Sequence, residues 1–239
     1  MSVTRLLAIV PARAGSKGVP RKNKAPIKGR PLIDYTIGAL KASKSVDGIL
    51  ITTDDDDILD FYAGRADVFL VRRPPELATD KATTVSAVKH ALQAWMAAGR
   101  ELPQAIFLAQ PTTPLRRGSD IDAAYKLFLD TGGTSLISCC LVDGMRHPRD
   151  MYRKRADGHG ELFIADPFDR TTRHDYEELY QRNGAIYMVS LSYFASEERL
   201  RAFTPVIYEM PWERSINIDG PGDLLIAKAL IESGLVATD

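Results

Sequence analysis

From residue 6 to residue 141 the chain alternates short, almost wholly apolar runs with longer stretches in which apolar positions recur every three or four residues. Leu6-Leu7-Ala8-Ile9-Val10 reads as a strand buried on both faces, and Gly48 to Thr52, Val68 to Val71, Ala105 to Leu108 and Ser135 to Leu141 read as further strands. Between them the helical period runs over Pro31 to Ala42, Asp55 to Arg65, Thr83 to Ala98 and Ser119 to Thr131, the first opened by a proline. In the third, Val85, Val88, Leu92 and Trp95 share one face, which is expected to pack on the sheet. This alternation predicts an α/β fold with a mainly parallel sheet and helices on both faces. The strip from Asp143 to Glu178 breaks the rhythm with three of the four histidines, many charges and the turn pair Asp157-Gly158, and reads as an inserted arm. Order returns with a strand at Gly184 to Ser190, a short helix at Tyr193 to Arg201, short strands at Val206 to Glu209 and Ser215 to Ile218, and a closing helix at Pro221 to Ser233.

Composition narrows the functional classes. A chain of 239 residues, 45% hydrophobic and 26% charged, suits one domain spanning 1–239, and neither a disordered nor a fibrous chain. Thirty-one basic residues balance thirty-one acidic ones, which argues against a general nucleic-acid or anionic-membrane coat, so a basic site must be local. No apolar run approaches the roughly 18 residues needed to span a bilayer, and the first apolar run is too short for a secretory signal, so a cytoplasmic protein is expected. The two cysteines, Cys139 and Cys140, are neighbours and read as small buried residues in a reducing compartment.

The local basic site is at the start. No acid occurs from Met1 to Ile33, while Arg5, Arg13, Lys17, Arg21, Lys22, Lys24, Lys28 and Arg30 all fall there. Pro11-Ala12-Arg13-Ala14-Gly15-Ser16-Lys17-Gly18 directly follows the first strand, at the carboxyl edge where open α/β sheets bind ligands. Ala14, Gly15 and Gly18 are small enough for backbone N–H groups to approach a phosphate, and Arg13 and Lys22 add full charges. The alternative is a plain basic loop. The spacing matches neither a P-loop nor a dinucleotide fingerprint.

Residues 11–23, Pro-Ala-Arg-Ala-Gly-Ser-Lys-Gly-Val-Pro-Arg-Lys-Asn, resemble the signature of the acylneuraminate (CMP-sialic acid) cytidylyltransferase family. Thr53-Asp54, the run Arg73 to Asp80, Gln110-Pro111-Thr112-Thr113-Pro114-Leu115-Arg116, Asn183-Gly184-Ala185-Ile186-Tyr187 and Asn217-Ile218-Asp219 follow in the family's order, so the resemblance covers almost the whole chain. It implies a Rossmann-like nucleotidyltransferase fold with an inserted dimerisation arm at about 143–178, and transfer of CMP from CTP to the anomeric 2-hydroxyl of a nonulosonic acid, releasing pyrophosphate. The expected partners are CTP, the sugar acid and a second copy of the chain, with Mg²⁺ as cofactor.

Carried over by matched position, the resemblance makes Arg13 and Lys22 catalytic through charge on the phosphates. It assigns the nucleotide to Ala12, Arg13, Gly15, Ser16, Lys22, Asn23, Arg73, Ala82 and Thr84. The sugar falls to Gln110, Thr112, Thr113, Arg173 and Tyr187, with Arg173 paired to its carboxylate. Asp219 and Asn217 are the metal candidates, Asn217 standing where many relatives carry an acid. Thr84 reads equally as a helix-start residue, and Asp55 to Asp57 read as a helix start rather than a metal cluster. His147, His159 and His174 lack zinc spacing and are expected at the surface or on substrate. The arm departs from the sialic-acid pattern around Arg173-His174-Asp175, so the sugar stays open among nonulosonic acids. Alternatives are the same fold acting on a 3-deoxy-octulosonate, and a non-catalytic nucleotide-sugar-binding protein.

Overall fold

In the computed structural model, which describes residues 5–15, 18–144, 146–164 and 176–239, the first apolar run lies inside the sheet. Leu6 to Val10 are all 0% exposed, because side chains alternate between two faces and both faces are covered. In chain order the elements are β1 (Leu6–Pro11), a small hairpin of β2 (Pro26–Ile27) and β3 (Arg30–Pro31), α1 (Leu32–Ala42), β4 (Gly48–Thr53), α2 (Asp56–Tyr62), β5 (Phe69–Arg72), α3 (Thr84–Ala97), β6 (Ala105–Leu108), α4 (Gly118–Asp130) and β7 (Ser135–Leu141). Within the arm, β8 (Tyr152–Lys154) and β9 (Gly160–Leu162) pair as a separate hairpin. The chain closes with β10 (Tyr180–Ser190), α5 (Leu191–Glu197), β11 (Val206–Glu209) and α6 (Pro221–Glu232).

The main sheet has seven strands in the order β11-β7-β10-β6-β1-β4-β5, and β10 alone runs antiparallel to its neighbours. One face packs Leu6, Ala8 and Val10 against Ile33, Ile37 and Leu40 of α1 and Ile121, Ala124 and Phe128 of α4. The other packs Leu7 and Ile9 against Val88, Leu92 and Trp95 of α3. Each leucine, isoleucine or valine among them, fully buried, contributes about 1.5–3 kcal/mol. A third cluster joins Val19, Ile27 and Leu32 to Ile216, Ile218 and Ile231, so α6 holds the two ends of the chain together.

Three expectations are corrected. Residues 215–218 form no strand: the Ser-Ile-Asn-Ile alternation buries Ile216 and Ile218 against α6 instead of a neighbouring strand. β10 begins at Tyr180 rather than Gly184, its ladder interrupted by a register shift around Gly184, which takes φ +81°. The helix after it spans Leu191–Glu197, because Ser190 caps it through the Tyr193 N–H and Glu198 ends it at φ +51°. Among the described residues, no helix is long and apolar enough to cross a membrane.

Candidate functional site

The loop after β1 is shaped by bonds that its own sequence does not reveal. The Ala12 N–H donates to the Thr52 carbonyl (3.0 Å), and the Ala12 carbonyl accepts from the Thr53 hydroxyl. Expected on the nucleotide, Ala12 is fully buried with its N–H and carbonyl both committed, and anchors the loop. The next turn is held by the Asp54 carboxylate, which accepts from the Ala14 N–H (2.8 Å), and by buried Asn23, whose amide donates to the Arg13 carbonyl (3.0 Å).

Lys22 reaches across to the far end of the chain. Its Nζ donates to the Ile218 carbonyl at 2.6 Å and lies 3.8 Å from Asp219 Oδ1. Gly18 lies against the same segment, where an added Cβ would fall 1.8 Å from the Asp219 carbonyl oxygen, so only glycine fits. Not every cation of the basic run is available: Lys24 pairs with Asp55 (2.8 Å) and Asp57 (2.5 Å), and the Arg30 guanidinium stacks on Tyr35 at 4.5 Å. Asp55 caps α2 through the Asp57 N–H, as its helix-start reading has it.

These contacts wall a cleft of about 460 Å³ at the carboxyl edge of the sheet. From the first loop, Arg13, Lys22 and Asn23 line it; Gly15, expected there, is exposed and does not. Arg13 also pairs with Asp80 (2.9 Å). Arg73 enters from the end of β5, buried, with Nε on the Thr52 hydroxyl (3.3 Å) and Nη2 on the Thr52 carbonyl (2.9 Å); burial lowers its pKa. Ala82 and Thr84 line the opposite wall, and the cap of α3 is Thr83, which accepts from the Ser86 N–H (3.0 Å), so Thr84 is the first helical residue. Ser16 and Arg173 lie outside the described residues, as do His174 and Phe168, the latter one of the arm's apolar residues expected at a dimer interface.

The Gln-Pro-Thr-Thr-Pro segment after β6 divides by role. Gln110 and Thr112 line the cleft, whereas Thr113 is fully buried, donating to the Gln110 carbonyl (3.1 Å). Expected on the sugar, Thr113 instead serves as an acceptor for Arg116, the last residue of the segment that resembles the family. Arg116 is 1% exposed and its guanidinium donates to Thr113 Oγ1 (3.1 Å), Thr36 Oγ1 (2.9 Å) and the Ala185 carbonyl. Desolvation pushes its pKa down to about 10. Two of its partners sit on α1 and β10, so the segment that contains it does not show what it binds.

Gln110 also borders two further clefts. One, about 690 Å³, lies between α3, β10 and residues 198–205; the other, about 650 Å³, lies between β10 and the start of α6. Tyr187 lines both and is absent from the first. Asn217 and Asp219 stand where the first cleft meets the 650 Å³ one, joined by an Asn217 Nδ2 to Asp219 Oδ2 bond of 3.2 Å, while Asn217 Oδ1 is buried without a partner. Among the described residues no three His, Cys, Asp or Glu side chains cluster as a metal centre.

His147, expected at the surface or on substrate, is 2% exposed: it stacks on Tyr176 at 4.6 Å and accepts from the Arg149 N–H through Nδ1. His159 is exposed beside Asp157. Cys139 and Cys140 are both buried thiols, and burial pushes Cys139 up to about 11.

A family model described as cytidylyltransferase matches residues 7–210. The chain is similar to the N-acylneuraminate cytidylyltransferase of Escherichia coli O18:K1:H7, at 31% identity over 94% of this chain and 51% of that one. It is similar also to the CMP-N,N'-diacetyllegionaminic acid synthase of Legionella pneumophila (28%, covering 95% and 97%) and the pseudaminic acid cytidylyltransferase of Campylobacter jejuni (26%, covering 94% and 95%). The chain spans about half the length of several curated relatives it matches, at 51% for the Escherichia coli and Streptococcus agalactiae proteins. Among solved structures, a CMP:2-keto-3-deoxy-manno-octonic acid synthetase complexed with CTP superposes with a TM-score of 0.68 at 15% identity, covering 97% of this chain and all of that one, a likeness of fold.

Proposed function

The chain belongs to the cytidylyltransferase family, and from that membership we propose that it transfers CMP from CTP to the anomeric 2-hydroxyl of a nonulosonic acid. The observation that carries the reading is that Arg13, Lys22 and Arg73 line one cleft against the carboxylates of Asp80 and Asp219 alone, an excess of positive charge where a triphosphate would lie. In the reaction the sugar oxygen attacks the α-phosphorus in line, the bond from that phosphorus to the bridging oxygen breaks, and pyrophosphate leaves with the electron pair as the 2-hydroxyl loses its proton. No side-chain nucleophile is needed, so the protein's contribution is positioning and neutralisation of charge. Lys22 and Arg13 supply fixed positive charge, Asn23 orients the backbone between them, and Arg73, Ala82 and Thr84 border the space for ribose and base. Gln110, at the junction of all three clefts, suits the point where nucleotide and acceptor meet.

The Asp219 carboxylate and the unpartnered Asn217 Oδ1 are hard oxygen donors and fit one side of a Mg²⁺ site whose other ligands are phosphates and water. When bound, the ion would offset charge on the phosphates. The proposal includes a homodimer and a cytoplasmic setting. Three relatives named for nonulosonic acids, at 26–31% identity, favour these acceptors over an octulosonate, for which the likeness is one of fold. The test is pyrophosphate release from CTP and Mg²⁺ with sialic, legionaminic, pseudaminic and 3-deoxy-octulosonic acids in parallel. Release with at least one of the first three is expected; release with none of them refutes the proposal.

A further inference from the structure

Two clefts adjoin the nucleotide cleft through Gln110, and they differ in charge. The one beside α6 sets Arg146 and Arg182 against Asp219 and Asp223, so its charges cancel. The one between α3, β10 and residues 198–205 sets Arg182, Arg199 and Arg201 against Glu198 alone, and Glu198 is bound to Lys89 at 2.5 Å. An acid acceptor is drawn to the second. Within it, the Arg199 guanidinium stacks on the Phe203 ring at 4.3 Å, turned to an outer wall where Phe203 is 87% exposed. The Arg182 guanidinium lies 5.8 Å from the centre of the Tyr187 ring. Among the described residues neither Arg182 nor Arg201 has a carboxylate within ion-pair distance, so both keep a planar set of donors free.

We propose that the acceptor's carboxylate is bound in this cleft by Arg182 and Arg201 beside the Tyr187 phenol, which makes the two arginines determinants of acceptor specificity. The inference rests on the sugar-acid reading above; Arg173, expected on the same carboxylate, lies outside the described residues, and Arg182 and Arg201 are the partners that the described residues offer. Burial raises the pKa of Tyr187, so its phenol stays protonated at neutral pH and is able to donate to the same carboxylate. Both arginines are exposed, so replacing them leaves the core untouched.

The test uses whichever sugar acid the parent protein turns over, together with its methyl ester, which keeps the shape and removes the charge. Arg182→Gln and Arg201→Gln should each raise the acceptor KM about tenfold, the equivalent of about 1.4 kcal/mol, with the CTP KM changed less than about twofold. The parent should prefer acid to ester, and the double variant should lose most of that preference, an outcome that a structural role would not produce. An unchanged acid-over-ester ratio in the double variant overturns the proposal. So does a collapse of that ratio on Arg146→Gln instead, which would put the acceptor in the other cleft. A parent inactive on every sugar acid overturns the underlying reading, and is recognised before any variant is made.

Discussion

Replacing Arg116 with Met tests whether one buried cation holds the acceptor side of the cleft in place. The guanidinium joins three elements: Thr113 in the loop after β6, Thr36 in α1 and Ala185 in β10. Removing it does not strand both hydroxyls, because Thr113 and Thr36 each lie within reach of the Gln110 carbonyl, at 3.1 and 3.4 Å. The Ala185 carbonyl loses its bond from the guanidinium, and a buried acceptor left unpaired costs about 1–3 kcal/mol. Lost bonds to the hydroxyls add to this, while removing a charge from a site that excludes water offsets part of it. The expected net loss is about 2 kcal/mol, or about 4–8 °C in Tm for a chain of this size. Urea unfolding followed by the fluorescence of Trp95 and Trp212 measures it. Because the Gln110 carbonyl also lies 3.4 Å from Arg116, the variant should raise the acceptor KM more than the CTP KM. Arg116→Lys, which keeps the charge but not the planar fork, should be no more stable than Arg116→Met. Stability within about 0.5 kcal/mol of the parent for Arg116→Met would refute the role assigned to these bonds.

Lys22→Ala should lower kcat by about 10²–10³, the effect of losing one transition-state charge contact, with the fold intact by circular dichroism; near-normal turnover removes Lys22 from the mechanism. Asn217→Asp, by adding a carboxylate beside Asp219, should lower the Mg²⁺ concentration for half-maximal rate, and Asp219→Asn should nearly abolish activity; a Mg²⁺ titration at saturating CTP decides both, and an unchanged metal dependence in Asp219→Asn points to Asp54 instead. Met151 and Phe163 on the arm are 46% and 57% exposed, and Leu162 is partly buried between them in sequence, a surface that an isologous dimer would cover. Sedimentation at micromolar concentration should find a dimer, and a monomer alone refutes it.

What could be read from the chain is what repeats or clusters within it. A run of five apolar residues announces β1 because a strand covered on both faces leaves no polar position, and Val85, Val88, Leu92 and Trp95 announce the buried side of α3. Patterns with two physical causes misled. Ser-Ile-Asn-Ile at 215–218 reads as a strand, yet the same alternation arises when an extended segment buries its isoleucines on a helix. The resemblance assigns Ala12 to the nucleotide, but its N–H is taken by Thr52 because the parallel pairing of β1 with β4 runs one residue further than the strand itself. Polar residues bound to distant partners were the least legible. Arg116 closes a family-like segment that does not show α1 and β10 closing over it, and His147 reads as a surface or substrate histidine until Tyr176 stacks on it. The contact between Lys22 and the Ile218 carbonyl joins residues 196 apart in sequence, and nothing local to either predicts it. Both belong to segments singled out for their chemistry, and the packing of Val19 and Ile27 with Ile218 and Ile231 brings those segments together. The candidate site is therefore a product of the third hydrophobic cluster as much as of the motifs: weakening that cluster should separate Lys22 from Asp219 without touching either.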